Sequence, residues 1–121
     1  MPGVWPKTGL VALIGLSAHL ASLIRKQMTI GLLTLHLRIP MCASLKEKRS
    51  QLKPLISRLR KQFNIAVAEL DYQDCWKEAV IGCATLSNDK AHTQRSLQKV
   101  IPWIERHYPH INIIQDKIEL I

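Results

Sequence analysis

Strict alternation governs the stretch Thr29–Ile39. Gly31, Leu33, Leu35 and Leu37 fall on one side, and Ile30, Leu32, Thr34, His36 and Arg38 fall on the other. A period of two is the pattern of a β-strand. Both sides carry Ile or Leu, so the strand belongs in a sheet with one face under helices and some apolar surface on the other. Pro40 ends the run.

The chain then changes period. Ser44-Leu45-Lys46-Glu47 fits a capping box, with Ser44 as N-cap and Glu47 reaching back from the third helical position. Leu45, Leu52, Leu55, Ile56, Leu59 and Phe63 recur at helical spacing and form one apolar stripe. Pro54 lies inside this helix and is expected to remove one backbone hydrogen bond and kink the axis. Asn64 is expected to close the helix. Ile65–Leu70 reads as a second strand, Asp71–Asp74 as a connection of hairpin length, and Trp76–Leu86 as a third strand. Gly82 within it marks a bulge or a close approach by another backbone. Ser87-Asn88-Asp89 starts a second helix that buries Leu97, Val100, Ile101, Ile104 and Tyr108, with Pro102 inside it and Pro109 as its stop. Ile111–Ile121 is the last strand. The order βαββαβ predicts a ferredoxin-like α+β fold: a four-stranded antiparallel sheet with two helices on one face. The other face is left open, and its Ile and Leu side chains make self-association through it an expectation.

Residues 1–27 differ in character from residues 28–121, which hold the whole periodic pattern. Leu10–Ile24 is largely apolar but shorter than the roughly 20 residues of a membrane span, and Ser17, His19 and Ser22 interrupt it. Lys7 alone precedes it, and no A-x-A cleavage pattern follows. The expected reading is a start codon assigned too far upstream, with Met28 opening the fold and residues 1–27 an extension outside it; a peripheral docking helix and a weak signal-anchor are the alternatives, and no integral membrane span is expected.

Seventeen Lys and Arg against nine Asp and Glu give a formal charge of +8. Such a surplus favours polyanionic partners: RNA, DNA or an anionic membrane face. The three cysteines, Cys42, Cys75 and Cys83, form no CxxC and no even set, which speaks against a disulfide framework or a zinc site and for the cytoplasm. Cys83 reads as a small core residue, whereas Cys42 and Cys75 fall in connections and are expected to be exposed.

Four separated segments resemble a known family. Ser44-Leu45-Lys46-Glu47-Lys48-Arg49, Phe63-Asn64-Ile65-Ala66-Val67-Ala68-Glu69, Asp71-Tyr72-Gln73-Asp74-Cys75-Trp76 and Ser87-Asn88-Asp89 are similar, in order and spacing, to the YlxP-like family of small bacterial proteins, a domain of unknown function. The resemblance covers Met28–Ile121. It implies a ferredoxin-like fold and, because genes of this family often lie beside those for a translation initiation factor and a ribosome-binding factor, a link to RNA. It carries over no catalytic residue. Pro54 and Pro102 depart from the family's usual pattern.

The strongest chemical feature is the first helix. Lys46, Lys48, Arg49, Lys53, Arg58, Arg60 and Lys61 stand against the single acid Glu47, and Lys46, Lys53 and Arg60 share one face. A helix over Ser44–Gln62 is about 28 Å long, enough to follow several phosphates, although a solvated polar face would show the same composition. Glu69, Asp71, Asp74 and Glu78 surround the hairpin, where oxygen ligands for a hard metal and ordinary turn chemistry are both possible readings. His107 and His110 do not complete a metal site, and His107 near a helix C-terminus suits the helix dipole. His36 is the best lone acid–base candidate, but no partner is visible for it. Strands one and four carry no aromatic residue, so the basic helix, rather than the sheet, is the expected RNA platform. The working expectation is an RNA- or ribosome-associated accessory protein without catalysis, cofactor or metal, with Lys46, Lys48, Arg49, Lys53, Arg60 and Lys61 on phosphate. The alternatives are an enzyme using Glu69, Asp71 and Asp74, and a structural homo-oligomer.

Overall fold

Strand β1, Thr29–Arg38, follows the alternation residue by residue: Leu33, Leu35 and Leu37 are fully buried, while Ile30, Leu32, Thr34 and His36 between them are half-buried. The computed structural model describes residues 28–121, so the expectations for Met1–Gln27 lie outside the described residues. After β1 come α1 (Leu45–Phe63), β2 (Ala66–Asp71), β3 (Glu78–Ser87), α2 (Lys90–Gln98), α3 (Val100–His107) and β4 (Asn112–Leu120). The sheet order is β2-β3-β1-β4 with every neighbouring pair antiparallel, the ferredoxin-like arrangement. Register places Leu33 opposite Cys83 and Leu35 opposite Ile81, so both central strands turn the same apolar face inward. That face packs with Leu52, Leu55 and Leu59 of α1, Leu97 of α2, and Val100 and Ile104 of α3 in one core. Each such side chain contributes about 1.5–3 kcal/mol by leaving water.

The helix ends are built as their sequences dictate. The Ser44 hydroxyl accepts from the Glu47 N–H at 3.1 Å, and the Glu47 carboxylate reaches back to the Ala43 N–H at 2.7 Å, one residue beyond the usual box partner. Asn64 closes α1 in the left-handed region, φ 50°, a conformation Asn tolerates better than most residues. At α2 the Asp89 carboxylate accepts from the N–H groups of Ala91 and His92. Ser87 supports that turn by accepting from the Asp89 N–H at 3.0 Å.

Two prolines behave differently. Helix α1 runs without interruption through Pro54. The second expected helix, in contrast, is divided at Lys99 into α2 and α3. Pro102 has no N–H for the Gln98 carbonyl and its ring crowds that group, so the break falls there. The β2–β3 connection is also longer than expected, because Tyr72 takes φ 61° and leaves the ladder, and β3 begins at Glu78.

Both strand glycines record close packing. A Cβ on Gly31 would lie 2.5 Å from Thr93 Cγ2 and 2.7 Å from Leu97 Cδ1, so the glycine lets α2 settle on β1. A Cβ on Gly82 would lie 2.7 Å from Leu70 Cδ1. The close approach is therefore by a side chain rather than by another backbone, and it occurs beside a register shift in β2 between Glu69 and Asp71. Among the described residues no helix is long and apolar enough to cross a membrane.

The cap geometry has a measurable cost. Ser44→Ala is expected to lower stability by about 1 kcal/mol, and Glu47→Ala by less. In a double-mutant cycle read by urea denaturation the two losses are expected to fall short of additivity, since each residue orders the same turn.

Candidate functional site

Helix α1 presents a basic strip to solvent. Lys46, Arg49, Lys53, Arg60 and Lys61 are all exposed, and the first four recur at i, i+3, i+7 and i+14, close to one line along the helix. Among the described residues none of the five lies in an ion pair. The one acid of the helix, Glu47, is turned back onto the Ala43 N–H.

Two members of the expected phosphate-binding set are otherwise engaged. Lys48 is 1% exposed. Its position explains this: it lies on the same stripe as Leu52, Leu55 and Leu59, so its stem runs into the core. Its ammonium stands 2.9 Å from Glu69 Oε2 and donates to the Tyr72 carbonyl. The Glu69 oxygen is itself buried and lacks an aligned hydrogen bond, so that contact is ionic. Lys48 is therefore removed from the surface set and becomes the anchor of the β2–β3 connection. Arg60 remains at the surface but donates to the Val67 carbonyl at 2.6 Å, which covers a free group on the edge strand β2. Arg58 lies over the Trp103 and Tyr108 rings, 5.0 and 5.3 Å from their centroids, and ties α1 to α3.

The hairpin acids do not converge. Glu69, opposite Ile81, belongs to the helix-covered side of the sheet and pairs with Lys48. Asp71 accepts from the Tyr72 N–H at 2.7 Å. Glu78 lies on the open face, 2.9 Å from His36 Nε2 and 3.9 Å from Arg38. Alternation sends Glu69 and Glu78 to opposite sides, and among the described residues no three His, Cys, Asp or Glu side chains gather as a metal site would require. His107 and His110 are likewise separate: His107 bonds the Trp103 carbonyl and stacks on that indole, while His110 bonds Gln51.

The open face holds what the sequence did not reveal. His36 has a partner, Glu78, and its ring lies parallel to Tyr72 with centroids 5.2 Å apart and 9° between planes. Tyr72 comes from the connection, not from a strand, so a count of strand aromatics misses it. The only signal for the Glu78 contact is strand register: Arg38 stands opposite Glu78 and His36 is two residues along. Leu70, against Gly82, and Leu86, toward the other end of this face, are exposed, the apolar surface expected there.

Cys83 is fully buried, and burial pushes its thiol up to about 12. Cys42 is also buried, against expectation, because the turn after β1 folds it under α1. Its thiol is raised by burial first and by the Glu47 carboxylate second, with Lys48 opposing. Only Cys75 is exposed.

Two expectations follow from these contacts. Lys48→Ala strands a carboxylate beside the core and is expected to cost about 3 kcal/mol by urea denaturation, the low end for a broken buried pair, because Glu69 keeps some access to water. Replacing both residues, Lys48→Met with Glu69→Leu, is expected to recover much of that loss. In the native protein Cys75 alone is expected to react with a thiol reagent at neutral pH, and all three cysteines after denaturation. Cys83 also links stability to alkaline pH. Its folded pKa lies above the unfolded value of 9.0, so its contribution is complete below pH 9 and falls as pH rises from 9 towards 12.

The chain is similar to proteins already known. The uncharacterised protein YlxP of Bacillus subtilis (strain 168) is 38% identical over 68 residues, covering 56% of this chain and 73% of its own length. A solved structure, the de novo designed protein Foldit4, aligns with a TM-score of 0.49 at 10% identity, covering 78% of this chain and 96% of its own. The model of a family described as protein of unknown function (DUF503) matches residues 30–117, most of the chain, and the chain therefore belongs to that family of YlxP-like proteins.

Proposed function

We propose that the protein is an RNA- or ribosome-associated accessory factor that holds phosphate backbone along α1. The observation that carries this reading is the exposed strip of Lys46, Arg49 and Lys53, without an ion-pair partner among the described residues, on a chain of formal charge +8. Lys61 lies at the end of the helix and extends the strip, while Arg60 contributes only what its bond to Val67 leaves free. The first turn of α1 is a poor phosphate site, since Ser44 and Glu47 already serve N–H groups there. Binding therefore rests on side-chain charge. Contacts of this kind position a backbone and read no base sequence.

Counterion release provides the test. The triple variant Lys46→Ala, Arg49→Ala, Lys53→Ala is expected to reduce the slope of log affinity against log salt by roughly 2 on single-stranded RNA, at about 0.7 per phosphate contact. The loss is expected to be equal on unrelated sequences. A second triple variant, Lys90→Ala, Lys99→Ala, Arg106→Ala, removes the same charge from exposed positions outside α1 and is expected to leave the slope nearly unchanged. Equal effects from the two variants, or none from the first, would overturn the assignment.

A further inference from the structure

The open face of the sheet carries a cavity of about 530 Å³ between β1, β4 and the β2–β3 connection. Its walls include Thr34, His36, Tyr72, Val80, Gln115 and Lys117. Such a volume falls within the range of small-ligand sites. The cavity lies across the sheet from α1, because Thr34 and His36 alternate with the buried Leu33, Leu35 and Leu37.

Its aromatic wall is built rather than incidental. Tyr72 sits at φ 61°, a conformation uncommon for a bulky side chain. Three bonds hold it there: Asp71 accepts from its N–H, and the buried Lys48 ammonium and the Cys75 N–H both donate to its carbonyl. On the other side of the stack, Glu78 fixes the His36 ring through Nε2. A buried lysine, an ion pair and a left-handed residue thus converge to stand one phenol parallel to one imidazole over a solvent-open cavity. Around the stack Gln115 supplies an amide donor and acceptor and Thr34 a hydroxyl, while the Lys117 ammonium stands 3.6 Å from the Glu119 carboxylate, which lines the cavity together with Asp116. A flat heteroaromatic ring with donors and acceptors on its edge matches this lining, and an aliphatic ligand would leave both the π-surface and the polar edge unused.

We infer that this cavity binds a nucleobase, stacked on the Tyr72–His36 pair with its edge towards Gln115 and Lys117. The base is either that of a free nucleoside or nucleotide or an unpaired base of RNA. The inference is independent of the α1 strip, which lies on the opposite side and contacts only phosphate.

Adenosine is the probe that separates the two, since it carries no charge for α1 to bind. Saturable binding in the millimolar range or tighter is expected by NMR titration, with amide shifts concentrated at Thr34, His36, Gln115 and Lys117 and little change between low and high salt. Tyr72→Asn removes the ring while tolerating the left-handed backbone and is expected to weaken binding at least roughly fivefold. Tyr72→Phe keeps the ring and is expected to bind as the parent does. Unpaired oligoadenylate then identifies the source. Affinity rising with oligomer length assigns the cavity to an RNA strand, and equal affinity for adenosine and oligomer assigns it to the free nucleoside or nucleotide. The inference is overturned if adenosine produces no saturable shifts, if the shifts fall on α1, or if Tyr72→Asn binds undiminished. It is equally overturned if sedimentation shows a second copy of the chain covering this face and excluding adenosine.

Discussion

The period-two alternation of β1 is the constraint on which the rest of the molecule depends. The strand is paired on both sides, with β3 and with β4. A shift of one residue in its register would turn Leu33, Leu35 and Leu37 outward and bring Thr34 and His36 into the core. The same alternation therefore determines which groups hold the domain together and which remain available to a ligand. Gly31 completes it, for α2 reaches the strand only where no side chain stands.

The elements whose cause is local were legible in the sequence. The β1 pattern, the Ser44 and Asp89 caps and the Asn64 exit each follow from a few adjacent residues, and together they imply the ferredoxin-like order. Pro102 marks an irregularity in the sequence, but whether a proline bends a helix or divides it depends on the packing around it. Lys48 departs from the surface set for a different reason. Counting charge along α1 placed it with the surface lysines, whereas its spacing from Leu52, Leu55 and Leu59 placed it on the buried stripe. That signal was present and outweighed by composition. The His36–Glu78 contact and the Tyr72 stack belong to another category, since both arise from strand register and from one residue with positive φ that no glycine announces.

Lys48 also explains why the two faces of the sheet are not independent. Its ammonium contacts a strand carboxylate and a connection carbonyl from within the helix layer. A buried pair of this kind contributes little net stability compared with an apolar replacement. Its consequence here is positional: it holds a surface loop in one conformation from beneath. The charge on α1 that the exterior lacks is the charge that shapes the opposite face.

The contact between β1 and the residue after β4 adds a different property. Ile121 and Ile30 exchange two backbone hydrogen bonds, at 2.7 and 3.1 Å, so Ile121 lies beside β1 near its beginning. Segments that meet in this way tolerate being joined there and reopened elsewhere, because the connectivity changes while the contacts do not. Within residues 28–121, a short linker from Ile121 to Met28, with new ends placed in the exposed Pro109–His110 turn, would make β4 the first strand instead of the last and make the order of strand pairing during folding an adjustable quantity.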